Sequence, residues 1–63
     1  MNVKLIGGKK DGQVMDLNPI EDENGRWIEF ADTNEYYTSE GHQDEFGNEI
    51  FNYRPGIKGP LSI

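Results

Sequence analysis

Asn24-Gly25-Arg26-Trp27-Ile28-Glu29-Phe30-Ala31 is the stretch of sequence that decides the fold class. Asn-Gly is the strongest short signal for a β-hairpin, because both residues tolerate the positive φ angles that a tight reversal needs. Residues 26–31 then predict a strand that carries Ile28 and Phe30 on one face and Trp27 and Glu29 on the other. The centre of the chain is therefore expected to be antiparallel β-structure.

Further strands are predicted on both sides of this hairpin, separated by turns rich in Gly, Asn and Asp. They span residues 3–6, 13–17, 36–39 and 49–54. Pro19 ends the second of them, since proline cannot donate a hydrogen bond to a sheet. For the segment 32–37 a helical turn capped by Asp32 or Thr33 is the alternative.

The predicted fold is all-β, a small antiparallel meander of four to five strands. We expect it to curl into an SH3-like or partly open barrel, because a flat sheet of such short strands would leave one apolar face in water. Residues 1–54 form the predicted single β domain, and residues 55–63, with glycine or proline at four of nine positions, form a tail or arm. The predicted core consists of Val3, Leu5, Val14 or Met15, Leu17, Ile28, Phe30, Tyr37, Phe51 and Tyr53.

Acidic residues are concentrated in the middle of the chain. Residues 21–49 hold ten of the twelve carboxylates and one base, Arg26, which gives this stretch a net charge of −9, while the flanking residues carry +3. This segregation favours a surface that meets a basic protein, and it argues against direct binding of nucleic acid, whose phosphates require a dense cationic face. The alternative is that the charge only keeps a small domain soluble.

Several chemistries find no support in the composition. The chain has no cysteine, which excludes disulfides and thiolate metal sites, and no apolar run long enough to cross a membrane or to form a secretory signal. Because a strand is predicted almost directly after Met1, we expect a complete small reading frame.

The candidate catalytic and ligand-binding residues have simpler explanations, so we expect no cofactor, no metal and no enzymatic activity. His42 is the only histidine and is predicted to lie exposed in a loop, without the partners that a zinc site or a general base needs. The acids of residues 21–25 are consecutive, whereas a calcium loop needs alternating ligands. The glycines of residues 7–12 precede a strand, whereas a phosphate cradle precedes a helix. Ser39 has no base assigned to it.

Two motifs resemble those of a known group. Gly7-Gly8-Lys9-Lys10-Asp11-Gly12 resembles the Gly-Gly-x-x-Asp-Gly opening of many short proteins from tailed phages and actinobacteria. Asp44-Glu45-Phe46-Gly47 followed by Ile50-Phe51-Asn52-Tyr53 is similar to the turn and the apolar-aromatic-x-Tyr ending of the same group. Lys9 stands where the group often has proline, and Phe51 where it often has tyrosine. The resemblance implies a phage source and a small β fold without implying a catalytic activity.

The residues predicted to bind a partner combine carboxylates with exposed aromatic side chains, the usual composition of an interface anchor. Phe46, at the tip of an acidic turn, is the first aromatic candidate and Trp27 the second, and the alternative for Phe46 is that it folds back over the edge of the core. The full predicted set is Asp22, Glu23, Trp27, Glu29, Glu40, Asp44, Glu45 and Phe46.

The expected function is that of a phage-encoded, small acidic accessory protein in the host cytoplasm. We expect it to bind, and to inhibit or modulate, a host or defence protein with a basic surface, one that normally receives the phosphates of nucleic acid. The alternative is a structural component of the virion, such as a decoration or tail accessory protein. The sequence leaves the oligomeric state open.

Overall fold

The structure is a computed structural model, and it describes residues 1–23 and 25–55, without the side chain of Glu40. These residues form β-strands and turns and no helix, which confirms the all-β prediction. The strands are β1 (Asn2–Ile6), β2 (Val14–Asp16), β3 (Ile20–Asp22), β4 (Gly25–Phe30), β5 (Glu35–Gln43) and β6 (Glu49–Tyr53). Apart from Pro55, the predicted tail lies outside the described residues.

The six strands belong to one sheet with the order β2-β1-β6-β5-β4-β3. β1 and β6 run parallel, from Val3 opposite Glu49 to Ile6 opposite Asn52, and every other neighbouring pair is antiparallel. The sheet therefore differs from the predicted antiparallel meander in being mixed and in having more than five strands. The difference arises because the first and last strands are neighbours in space, which no local pattern of the sequence reveals.

The sheet is strongly curled, because its two edge strands are joined by a very short link. β2 and β3 are the edges, and residues 17–19 connect them. In a flat sheet of six strands, five spacings of about 4.8 Å would place the edges about 24 Å apart. The four residue steps from Asp16 to Ile20 reach at most about 14 Å. The sheet consequently closes into a half-barrel, as the predicted partly open barrel required.

The concave side of the half-barrel holds the hydrophobic core. Its members alternate along the strands, so that each strand turns every second side chain inwards. Val14 was one of two candidates for a core position, but it is 53% exposed and its neighbour Met15 faces the core instead. The buried residues are Val3, Leu5, Ile28, Tyr37 and Phe51, with Met15, Leu17, Phe30 and Tyr53 packed against them.

Two elements differ from the prediction for residues 20–43. Residues 20–22 lie outside the strands predicted from the sequence, but they form the edge strand β3, whose three residues are all exposed and therefore show no apolar alternation. The alternative of a helical turn at 32–37 is wrong. Residues 31–34 form a turn in which Asn34 has a positive φ of 57°, and β5 begins directly afterwards at Glu35.

We predict that Val3→Ala lowers the free energy of unfolding by about 2 kcal/mol, because it removes two buried methyl groups and leaves a cavity. Val14→Ala is the matched control on the neighbouring strand, and since Val14 is exposed it should change the free energy by less than about 0.5 kcal/mol. Urea denaturation followed by tryptophan fluorescence measures both. Equal losses in the two variants would contradict the placement of the core.

Candidate functional site at the acidic end of the half-barrel

The strand register brings most of the acidic segments to one end of the sheet. Because β1 and β6 are parallel and the other pairs antiparallel, the starts of β1, β4 and β6 lie at the same end as the finishes of β2, β3 and β5. The β3–β4 turn, the β5–β6 turn and the last residue of β2 therefore meet there. We call this region the acidic end and define it by the carboxylates of Asp16, Glu21, Asp22, Glu23, Asp44, Glu45 and Glu49.

The opposite end of the sheet carries lysines. Lys9 and Lys10 lie in the β1–β2 turn, which the register places beside the β4–β5 turn. Lys10 Nζ lies 3.0 Å from an Asp32 carboxylate oxygen and 4.9 Å from the centre of the Phe30 ring. The hydrogen bond from Lys10 holds the pKa of Asp32 below its ordinary value. The same end also holds the carboxylates of Asp11, Asp32 and Glu35, so the segregation of charge along the sequence becomes a partial separation between the two ends of the half-barrel.

At this opposite end the interior of the half-barrel is closed by residues 7–12 of the β1–β2 turn, which we call the glycine turn. Both oxygens of the buried Glu35 carboxylate accept from the backbone N–H of Lys9, at 3.1 and 3.0 Å. The Tyr37 hydroxyl lies 2.9 Å from the carbonyl oxygen of Gly7 and 3.2 Å from Glu35, and burial raises the pKa of Tyr37 to about 12. A Cβ atom at Gly8 would come within 2.6 Å of that hydroxyl. The turn therefore encloses a carboxylate of its own chain.

At the acidic end the interior contains a second buried carboxylate, Glu49, which is 5% exposed. Arg26 Nη1 and Ser39 Oγ donate hydrogen bonds to its two oxygens. Arg26 Nε also lies 3.7 Å from Glu21, which pairs with Arg26 across β3 and β4. A charge this deeply buried is tolerated when hydrogen bonds satisfy it, and both oxygens of Glu49 are satisfied.

This end of the half-barrel is open. A cavity of about 460 Å³ lies above Glu49, and the other side chains around it include Glu21, Arg26 and Gln43. Mouths of β-barrels are common ligand-binding positions, because the strands hold the lining side chains rigidly around a concave space. No local pattern of residues indicates this cavity, since its lining comes from four different strands.

The β5–β6 turn presents Phe46 to solvent. Asp44 Oδ1 accepts from the backbone N–H groups of Phe46 and Asn48, both at 2.9 Å, and Asp44 Oδ2 accepts from Asn48 Nδ2 at 3.0 Å. The hydrogen bonds from Asn48 are the main reason why the pKa of Asp44 lies below its ordinary value. Phe46 is 79% exposed, so its predicted exposure is confirmed and the alternative that it folds back over the core is wrong.

Trp27 is not the exposed aromatic residue that the sequence predicted. It lies on the outer face of β4, but it is only 5% exposed. Its ring packs edge-on against Tyr36 with the centroids 5.5 Å apart, and its Nε1 lies 3.4 Å from Asp22 Oδ2. Pro19 and Ile20 line the space beside it. Ile20 is the direct partner of Trp27 across β3 and β4, and Tyr36 lies on the strand on the other side, so the burial comes from neighbouring strands and is not apparent from alternation along β4 alone.

The remaining predicted residues fall into separate places. Glu23 and Glu45 are exposed in the two turns of the acidic end, while Glu29 lies half-buried on the outer face. Burial and then the carboxylates of Asp22 and Glu29 raise the pKa of Tyr36 above its ordinary value, which places both carboxylates near this ring. The side chain of Glu40 lies outside the described residues. His42 is exposed as predicted, although it belongs to β5 and not to a loop.

Sequence reasoning missed three carboxylates of the acidic end. Glu21 belongs to the same acidic run as the predicted Asp22, and the run itself could have included it. Asp16 reaches this end through the β1–β2 register, and Glu49 through the register of β6. Only the pairing of strands that are distant in sequence could have identified these two.

Comparison of the chain with protein families, with curated proteins and with solved structures found no significant match. The resemblance to short phage proteins therefore stays a prediction. Within residues 1–23 and 25–55, no helix is long and apolar enough to cross a membrane. The same residues contain no group of three or more His, Asp or Glu side chains arranged to hold a metal ion.

We predict that Asp44→Asn destabilises the protein at neutral pH, because an amide at this position cannot accept a hydrogen bond from Asn48 Nδ2 at Oδ2. Since the pKa of Asp44 is lower in the folded chain than in the unfolded chain, its contribution is complete above the ordinary value of 3.8. It is lost as the pH falls through the folded value. The difference in urea midpoint between the unaltered protein and Asp44→Asn should therefore shrink as the pH is lowered from about 6 to about 2.

Glu45→Gln is the control for this prediction, because it removes a charge from the same turn without touching these hydrogen bonds. Its midpoint at neutral pH should equal that of the unaltered protein. Asp32, whose pKa is also lowered, is present in every variant and cancels in the comparison. A difference between the unaltered protein and Asp44→Asn that stays constant down to pH 2 would show that the Asp44 charge does not stabilise the turn.

Proposed function

We propose that this chain is a non-enzymatic accessory protein that binds a basic surface of another protein through its acidic end. The observation that carries the proposal is the strand register, which gathers seven carboxylates at one end of the half-barrel against two positive charges, Arg26 and the N-terminal ammonium group. The other end holds Lys9 and Lys10 together with the carboxylates of Asp11, Asp32 and Glu35, so it is much less negative. A molecule polarised in this way orients itself in the field of a basic partner, and this raises the rate of productive encounter.

Phe46 supplies the apolar part of the proposed contact. Interfaces are anchored by a few aromatic side chains whose burial excludes water, and surrounding charges then set the orientation. Phe46 is the most exposed of the large apolar side chains that the structure describes, and Glu45 and Asp44 stand beside it in the sequence. Because the hydrogen bonds of Asp44 fix the turn, binding would not have to order this segment, and little conformational entropy is lost.

The resemblance of the glycine turn and the aromatic ending to short phage proteins supplies the biological setting of the proposal. In that setting the partner is a host or defence protein in the host cytoplasm, and its basic surface is one that normally receives the phosphates of nucleic acid. A carboxylate-rich end that occupies this surface excludes the nucleic acid and so inhibits or modulates the partner. Direct binding of nucleic acid by the acidic end is unfavourable, since phosphates and carboxylates repel.

One observation favours a second candidate, a structural role in the virion. β2 and β3 are edge strands of three residues each, and Val14 and Ile20 on them are exposed. Unpaired edges can accept a strand from a neighbouring subunit. Mass spectrometry of purified particles separates the two candidates. A stoichiometric amount in the particle supports the structural role, and absence from the particle supports the intracellular one.

We predict that a partner captured from a bacterial lysate by the immobilised protein is basic, and that it elutes as the salt concentration is raised from about 0.1 to 1 M, because screening weakens exposed charge pairs. Combining Glu23→Gln with Glu45→Gln should lower the association rate, and Phe46→Ala should speed dissociation. Surface plasmon resonance with the captured partner measures both rates.

Two variants serve as controls. Asp11→Asn removes one charge at the lysine-bearing end and keeps an oxygen that can accept from the Gly7 N–H. Val14→Ala removes exposed apolar surface away from the acidic end. Neither variant should change the association rate or the dissociation rate of the captured partner. Retention of the same partner at molar salt, or an equal effect of the controls, would exclude binding through the acidic end.

A further inference from the structure

The open cavity at the acidic end is produced by an irregularity in the sheet. Ser39 lies opposite Phe51 and Gln43 lies opposite Glu49, so that four residue steps on β5 face two on β6. The backbone between Ser39 and Gln43 therefore bulges out of the ladder and leaves a space in the wall of the half-barrel. Bulges of this kind are frequent beside binding sites, because they interrupt the pairing where a ligand has to approach.

Two glycines form part of the cavity wall. Gly25 and Gly41 both line the cavity, and both have a positive φ, of 116° and 81°. A Cβ atom built at either position would meet nothing within 4 Å. The volume of about 460 Å³ lies within the range of pockets that bind small molecules or single side chains.

The chemistry of the lining favours a cation. Glu21 and Glu49 supply two carboxylates and Arg26 supplies one positive charge, so the lining is negative overall. Glu23, which is exposed in the turn of the same hairpin, adds negative potential at this end of the half-barrel. An anion entering this space would meet more negative than positive charge.

We propose that this cavity receives one arginine or lysine side chain of the basic partner. The proposal rests on the proposed function, and it adds a defined pocket to a binding surface that was described by its charge. Arg26 already shows that the pocket accommodates a guanidinium group between two carboxylates. Arg26 neutralises one of the two negative charges, so an incoming cation is attracted by the remaining one, which lies on the exposed side of the pocket at Glu21.

Glu21 is the carboxylate that the incoming side chain engages. Its oxygen lies 3.7 Å from Arg26 Nε, a long contact that is easily exchanged, and its side chain is 69% exposed. Glu49, by contrast, is buried and held by hydrogen bonds from Arg26 and Ser39. Glu49 and Arg26 therefore keep their positions when a side chain binds, whereas Glu21 is free to move and contact it. The amide of Gln43 provides a neutral acceptor on the opposite side.

The first experiment titrates the ¹⁵N-labelled protein with N-acetyl-arginine amide, with N-acetyl-lysine amide and with the citrulline analogue, which has nearly the shape of arginine without its charge. We expect saturable shifts of the backbone amides of Gly25, Arg26, Gly41 and Gln43 with the two cations and none with citrulline. Equal shifts with citrulline, or shifts that spread evenly over all carboxylate-bearing residues without saturation, would overturn the proposal.

The second experiment repeats the titration with two matched variants. Glu21→Gln removes the carboxylate that contacts the incoming side chain. It should weaken binding of the arginine probe about tenfold, since a hydrogen bond to a charged group is lost. Glu23→Gln removes the same charge two residues away and outside the cavity lining, and should weaken it less than about twofold. An unchanged pattern of amide signals elsewhere verifies that both variants keep the fold.

The outcomes separate this proposal from the proposed function. If Glu21→Gln and Glu23→Gln weaken binding of the arginine probe equally, the pocket is not a cation-binding site, while the proposal that a partner binds through the acidic end still stands. If the probe saturates the pocket but Phe46→Ala and the Glu23→Gln/Glu45→Gln pair leave capture of the basic partner unchanged, the proposed function fails and the cation pocket stands.

Discussion

Three residues, Leu17, Asn18 and Pro19, tether the two outermost strands of a six-stranded sheet, and the rest of the structure depends on this constraint. A chain segment that short cannot cross a flat sheet, so the sheet curls until its edges approach each other. Curling gives a small domain a concave side on which to bury side chains, and the fully buried ones lie on β1, β5 and β6 at the centre of the sheet. The parallel pair of β1 and β6 joins the N-terminal hairpin to the strands that follow.

A curled sheet has two open ends, and this protein places a buried carboxylate at each. Glu35 is satisfied by a backbone N–H and a tyrosine hydroxyl, and the glycine turn that provides the N–H closes that end. Glu49 is satisfied by Arg26 and Ser39, whose side chains reach it from neighbouring strands and leave the end open. Burying a charge is costly unless it is hydrogen-bonded, and both carboxylates meet that condition in different ways. The turn of residues 7–12 covers one of these carboxylates, whereas the bulge in β5 leaves the other beside a cavity.

Sequence reasoning succeeded where a feature depends on neighbouring residues and failed where it depends on distant ones. The turn at residues 44–47 and the exposure of Phe46 follow from Asp44 and Gly47, which lie within a few positions of each other. The burial of Trp27, by contrast, depends on Ile20 and Tyr36, which lie on the strands to either side of it. The β1–β6 pairing and the roles of Glu35 and Glu49 likewise require contacts between residues ten or more positions apart. The cavity could not be predicted for the same reason.

The carboxylates of the acidic end do not all need the same explanation. Asp44 organises a turn, Glu49 completes the interior, and Asp22 meets the indole of Trp27, so the fold itself accounts for these three. Glu23 and Glu45 are exposed and make no hydrogen bond or ion pair with another described residue, yet they stand where negative charge is already dense. Crowding of like charges destabilises a small domain, and a fold selected for stability alone would disperse them. The fold itself does not account for these two carboxylates or for the exposed ring of Phe46. The proposed basic partner, docked at this end, would contact all three.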